Sequence, residues 1–192
     1  ATELLIDLGH RRIAHVNGLE SMCFATRRRD GYPEALRERG IEPDPSLSIC
    51  GDMIEPIGYE AAKLFFSLPD PPTAIMASSI IMALGVSRAA QEAGLMIGRD
   101  VSLIAHDDCL SFLHDNNNVP AITSIRSSIR DAGERVAQLL IDLIEDPASG
   151  PVNELWEADL VLGQSTGPCR QSVDAPADQA RRGNPPYSVQ TV

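Results

Sequence analysis

VSLIAHDD, residues 101–108, decides how this chain is read. Val101, Leu103, Ile104 and Ala105 form a short apolar run, with Gly94, Gly98 and Asp100 before it and a polar loop after it. That pattern describes a strand buried on both faces. The run ends in two acids, Asp107 and Asp108. In open α/β sheets ligands sit beyond the carboxyl ends of the strands, so a carboxylate there is a candidate ligand group. The alternative is that both acids only cap the loop through local hydrogen bonds.

Upstream of this strand, apolar runs and amphipathic stretches alternate. Leu4, Leu5 and Leu8 form a helical stripe that Gly9 stops, and residues 12–16 read as a strand ending at Asn17-Gly18. Residues 26–39 read as a helix with Tyr32, Ala35 and Leu36 on one face and Gly40 as its stop. Pro33 is tolerated only near a first turn, so a later start or a kink is expected there. Strands over 47–50 and 73–77 and helices over 58–68 and 81–93 complete the alternation. Strand and helix in turn at this spacing predict crossover connections and a parallel sheet.

Downstream, residues 121–125 read as another strand. Ile129, Ala132, Val136, Leu139, Leu140, Leu143 and Ile144 then recur at three- and four-residue steps, with Arg130, Glu134, Arg135 and Asp142 outside the stripe. Asp146-Pro147 ends that helix, and residues 155–162 supply one or two last strands. From Gln171 onward Pro, Ala, Gln, Asp and Arg lack apolar periodicity, which predicts a disordered tail.

The 192 residues are 43% hydrophobic, enough for one sizeable domain or two small lobes. Sixteen basic residues against 27 acidic ones leave a net charge of −11, which argues against a broad electrostatic grip on nucleic acid by this part of the protein. Cys23, Cys50, Cys109 and Cys169 match no metal or redox spacing, so free thiols in a reducing, cytoplasmic setting are expected. No run approaches a membrane span, and ATELLIDLGH lacks the basic start of a signal peptide and reads as a chain joined in mid-helix.

The strand ends Asn17-Gly18, Gly51-Asp52 and Ala77-Ser78-Ser79 contain neither GxGxxG nor GxxxxGK[ST], and no GxSxG elbow occurs. No cofactor is implied. His106, Asp107, Asp108, Cys109 and His114 cluster in sequence but without a recognised ligand spacing, so no metal is expected. Arg27, Arg28 and Arg29 could hold an anion, although successive helical positions diverge by about 100°, so at most one faces a given ligand.

A series of short motifs resembles the lactose-repressor (LacI/GalR) transcription regulators. They are Leu8-Gly9-His10-Arg11-Arg12-Ile13-Ala14, Gly18, Arg28 with Gly31-Tyr32, Gly51-Asp52, and Gly58-Tyr59-Glu60-Ala61-Ala62. Further on come Ala83-Leu84-Gly85-Val86, Asp100-Val101-Ser102-Leu103-Ile104, Asp107-Asp108, Thr123-Ser124-Ile125, Ala132-Gly133 and Ser165-Thr166. The resemblance implies an α/β, parallel-sheet, periplasmic-binding-protein-like (type I) fold of two lobes around an effector cleft. The distal lobe is expected complete, from residues 12–125 and 151–169, and the proximal lobe truncated, from residues 1–11 and 126–150, with a tail over 170–192. The helix-turn-helix head is expected to be missing, so operator DNA is reached only through an absent N-terminal domain. The stripe of the 129–144 helix would then lack part of its cover.

By position, the resemblance makes Arg28 and Asp107 the effector-binding pair, with Ser79, Met53 and His106 beside them. A guanidinium donates and a carboxylate accepts, so together they suit the adjacent hydroxyls of a sugar or related polyol. Ser79 stands where many members carry asparagine, Ile80 where they carry aspartate, and Met53 where some carry a stacking aromatic, which points away from a standard hexose. His106 replaces a more usual aromatic and either adds a hydrogen bond or fills space. Ala83, Leu84 and Arg88 lie on the helix that members use in the dimer contact, which implies a homodimer.

The function implied is effector sensing and dimerisation in a LacI-type repressor or related regulator, without catalysis and without membrane attachment. A periplasmic solute-binding protein of a sugar transporter shares the fold and is the alternative. An enzyme using Asp107 and His106 as acid and base is a third, requiring both within reach of one substrate.

Overall fold

The computed structural model describes residues 1–107, 119–147 and 150–170. Asp108, Cys109, His114 and the expected tail from residue 171 onward lie outside the described residues. Elements follow in the order α1 (Thr2–Asp7), β1 (Ile13–Asn17), α2 (Cys23–Glu38), β2 (Ser48–Cys50), α3 (Glu55–Phe66) and β3 (Ala74–Ala77). Then come α4 (Ile80–Glu92), β4 (Ser102–Asp107), β5 (Thr123–Arg126), α5 (Ile129–Glu145) and β6 (Asp159–Val161). The strands form one sheet in the order β2-β1-β3-β4-β5-β6, parallel throughout except for β6, which runs antiparallel to β5. The α/β alternation read from the sequence is therefore the architecture.

Two cores lie on opposite faces of the sheet. On one face Ala14 and Val16 of β1, Ile75 and Ala77 of β3, and Leu103 and Ala105 of β4 meet Phe65 of α3 and Met82 and Val86 of α4. On the other, Ile13, Ala74 and Ile104 meet Leu5 and Ile6 of α1 and Tyr32 and Leu36 of α2. The alternation of β1 and β4 residues between these cores is the period-two pattern of a doubly covered strand. Gly9 and Gly40 take positive φ, 92° and 68°, just past the ends of α1 and α2, where a left-handed turn ends the helix.

Two expectations are corrected. Helix α2 starts earlier than expected, at Cys23, and runs through Pro33. Its inward face is anchored on both sides of the proline: Ala25 and Leu36 are buried, and the Tyr32 hydroxyl donates a 2.6 Å hydrogen bond to the Ile13 carbonyl. Tertiary contacts thus outweigh the bond that Pro33 cannot make. Residues 1–11, expected in a proximal-lobe remnant, pack instead on this sheet: Leu5 is fully buried and Ile6 nearly so in the core of α2. Burial of two large aliphatic side chains fixes α1 to the body. Of the one or two strands expected over 155–162, one forms, Asp159–Val161.

Helix α5 is different in kind. Ser128 caps it by accepting from the Asp131 N–H at 3.1 Å, yet no residue of the helix is buried. Ile129, Val136, Leu140 and Ile144 are all about half or more exposed. No helix among the described residues is long and apolar enough to cross a membrane.

Candidate functional site

Because β1 to β5 are parallel, their carboxyl ends share one edge. Strand order reverses between β1 and β3: the chain leaves β1 for β2 on one side and returns to β3 on the other. Such a switch point opens a crevice at the carboxyl edge, the usual ligand position in an open α/β sheet. Val16 is in register with Ala77, and Ala77 with Ala105, so Asn17, Ser78 and the end of β4 follow one another along this edge.

Asn17 is fully buried. Its Oδ1 accepts from the Gly18 N–H and the Ser78 hydroxyl, both at 2.9 Å, and its Nδ2 donates to the Ala25 carbonyl at 2.8 Å. One turn further along α2, Arg28 donates to the Ser78 carbonyl at 3.0 Å, and its guanidinium lies 4.9 Å from the centre of the Phe24 ring. Burial lowers the Arg28 pKa from its ordinary value. Its neighbour Arg29 instead pairs with Glu20 and Asp30. Beneath Arg28, His15 is buried against Tyr32, ring centres 5.2 Å apart, and burial and then the Arg28 charge push its pKa down to about 4.

Asp107 ends β4, almost wholly buried, in register with Arg126 of β5. The carboxylate lies 3.4 Å from Arg126 Nε, an ion pair by distance, while the buried Nε–H has no hydrogen-bond acceptor among the described residues. His106 precedes it, with Nε2 3.4 Å from the Ser127 hydroxyl. Successive strand residues point to opposite faces, so His106 and Asp107 do not converge on one point.

The remaining expected site residues have identifiable local tasks. Ser79 caps α4, its Oγ accepting from the Met82 N–H at 3.2 Å. Met53, half-buried, and Phe24 wall Gly18: a Cβ there would lie 3.3 Å from Phe24 and 3.5 Å from Met53. Met53 is thereby linked through Gly18 and Phe24 to Arg28. Ala83, expected at a dimer contact, is fully buried in the chain's own core and so cannot meet a partner. Leu84 and Arg88 are exposed; Arg88 forms a bidentate ion pair with Glu55 and stacks 3.6 Å from the centre of the Tyr59 ring.

Sequence reasoning missed Asn17, Ser78, Phe24 and Arg126. The available signal was position: Asn17 ends β1 and Ser78 directly follows β3, the two strands that flank the switch point, once the strand order is known. Among the described residues no group of three or more His, Cys, Asp and Glu side chains is placed to hold a metal ion.

A mostly parallel sheet whose strand order reverses between β1 and β3 is the topology in which open α/β domains place a ligand at the carboxyl edge. Residues 2–166 match the family described as periplasmic binding protein-like domain, and the chain belongs to that family. It is 46% identical over 168 residues to the HTH-type transcriptional regulator AglR of Rhizobium meliloti, a match covering 88% of this chain and 47% of that protein. The HTH-type transcriptional repressor CytR of Escherichia coli K12 is 33% identical over 168 residues, covering 86% and 48%. A solved complex of the transcriptional regulator CelR with cellobiose superposes with a TM-score of 0.76 at 32% identity, covering 86% of this chain and 50% of that one. A LacI-family regulatory protein from Chloroflexus aggregans gives 0.75 at 30% identity, covering 86% and 58%. The chain spans about half the length of the curated relatives it matches.

Proposed function

We propose that this chain is the effector-sensing and dimerising region of a LacI-type transcription regulator, with a sugar or related polyol as effector. The observation that carries the reading is the carboxyl edge itself: Arg28 of α2, desolvated, is tied to the Ser78 carbonyl just past β3, and Asp107, buried beside Arg126, ends the neighbouring strand β4. Donor and acceptor groups so arranged suit vicinal hydroxyls, each charged hydrogen bond being worth about 1.5–3 kcal/mol. The sugar held by CelR supports that class of effector.

The relatives are HTH-type regulators, which supports a regulator over a transport receptor and over an enzyme, and with it a cytoplasmic setting. The opposed directions of His106 and Asp107 also speak against an acid–base pair. On this reading residues 12–125 and 151–169, joined by α1, form the effector lobe, and residues 126–150 belong with a second lobe. Leu84 and Arg88 lie on the dimer face, and operator DNA is bound by a domain outside this chain. Effector acts by its differential affinity for two lobe arrangements.

The test is thermal stabilisation of the full-length protein by maltose, cellobiose, sucrose and trehalose. A sugar at one hundred times its Kd should add about 2.7 kcal/mol to stability. Arg28→Ala and Asp107→Ala, folded by circular dichroism, should lose much of that increment at the same sugar concentration. Stabilisation unchanged in both variants overturns the site.

A further inference from the structure

We propose that Asn17 and Ser78 form a clasp across the β1/β3 switch point that positions Arg28, making them positioning residues for effector binding that no effector touches. The part concerning effector rests on the reading of Arg28 above; the clasp itself does not. Three elements meet at the Asn17 amide. It holds its own strand end through the Gly18 N–H, the end of β3 through the Ser78 hydroxyl, and the first turn of α2 through the Ala25 carbonyl. Ser78 is gripped twice, at its hydroxyl by Asn17 and at its carbonyl by Arg28. Ala25 and Arg28 are three residues apart on α2, hence on one helix face.

The consequence follows from what an arginine loses on binding. Its long side chain carries large rotamer freedom, and a guanidinium already fixed gives up less of it to a ligand. Arg28 is fixed by a backbone carbonyl on one side and the Phe24 ring on the other. A carbonyl holds a guanidinium only while its own peptide plane is held. The Ser78 hydroxyl, bound to a side chain that is itself fully buried and bonded at both ends, supplies that restraint. Registry between α2 and the switch point is set by the same amide, so turning it loose frees the base of Arg28 as well as its tip.

The experiment combines two readouts on the intact protein with Asn17→Ala and Ser78→Ala. Ser78→Ala removes one hydroxyl and leaves the carbonyl, so it keeps the question decidable should Asn17→Ala not fold. In arginine-labelled protein, NMR relaxation of the Arg28 Nε–H should show its order parameter falling below about 0.6 in either variant, while α2 backbone amides stay rigid. Arg28 as ordered as in the parent in Ser78→Ala, or in both variants, overturns the clasp.

The second readout is affinity for whichever of maltose, cellobiose, sucrose and trehalose stabilises the parent. Asn17→Ala should weaken it about ten-fold, and far less in an Arg28→Ala background, because the two changes remove one interaction. The same factor in both backgrounds would mean general structural damage and overturns the positioning role. Loss of Arg28 order with sugar affinity unchanged upholds the clasp and sinks the effector reading instead.

Discussion

Gly85 faces the Glu55 carbonyl so closely that a Cβ on it would lie 2.1 Å from the oxygen. Gly58 meets the Met82 carbonyl in the same way, at 2.0 Å, so α3 and α4 cross backbone to backbone at two glycines. Neither contact can relax by moving a flexible side chain. Gly85→Ala must therefore push the helices apart and open the core around Phe65 and Val86, with an expected cost of about 3 kcal/mol or more. Gly31, inside α2 with nothing within 4 Å of its would-be Cβ, is the opposite case, and Gly31→Ala should stabilise by about 0.5–1 kcal/mol. Urea denaturation of the two variants should give shifts of opposite sign.

His15 ties stability to pH. Its pKa is about 4 in the folded chain against the ordinary 6.5, so the unfolded state takes up the proton first. Its contribution is fully present above pH 6.5 and is lost as pH falls from 6.5 to about 4, a total of about 3 kcal/mol. His10, also lowered by burial, adds a slope of the same sign. Asp44, Asp100 and Glu154, lowered by hydrogen bonds from Ser46, Arg99 and Arg135, act only at more acid pH. Denaturation midpoints from pH 7.5 to 4.5 should fall steeply for the parent and less steeply for His15→Leu; equal slopes would remove His15 from the account.

Arg126 is the cation in register with the buried Asp107 carboxylate. Replacing it by alanine leaves that charge in a low-dielectric site with one favourable neighbour fewer, at an expected cost of about 1–3 kcal/mol. The double variant Arg126→Ala/Asp107→Asn should recover part of the loss, since the buried charge is gone. Additive losses in a double-mutant cycle would show that the 3.4 Å approach carries no coupling.

These features differ in how far the chain order reveals them. The parallel sheet was legible because the buried strands are rich in short apolar runs, such as AIMA of β3, bounded by turn residues. Arg28 and Asp107 were singled out through resemblance, and helix geometry added only that at most one of Arg27, Arg28 and Arg29 faces a given ligand. The Asn17–Ser78 bond was not, since its partners stand 61 residues apart and meet only because β1 and β3 are neighbours. Pro33 misled because a local rule ignores the Tyr32 anchor on Ile13, and α1 was misassigned because Leu5 and Ile6 name no partner until the sheet is built. Ala83 carried a family role in sequence and a core position in space.

Leu140 separates stability of the folded chain from cover supplied by other parts of the protein. It lies on the α5 stripe with Val136 and Ile144, 57% exposed between neighbours at 64% and 69%, and no α5 residue is buried. In this chain Leu140→Glu exchanges one exposed helix former for another, so its unfolding free energy should stay within about 0.5 kcal/mol of the parent. The contiguous apolar face should also drive concentration-dependent association of the chain, which the added charge reduces. In the full-length protein the same stripe, if covered by a second lobe as proposed, becomes a core surface. Leu140→Glu there would bury a carboxylate with no partner, and the loss should reach several kcal/mol. Urea denaturation of both forms and sedimentation velocity of the chain decide it. An equal, small effect in the two forms would mean that α5 faces solvent in the whole protein too, and that residues 126–150 do not belong to a second lobe's core.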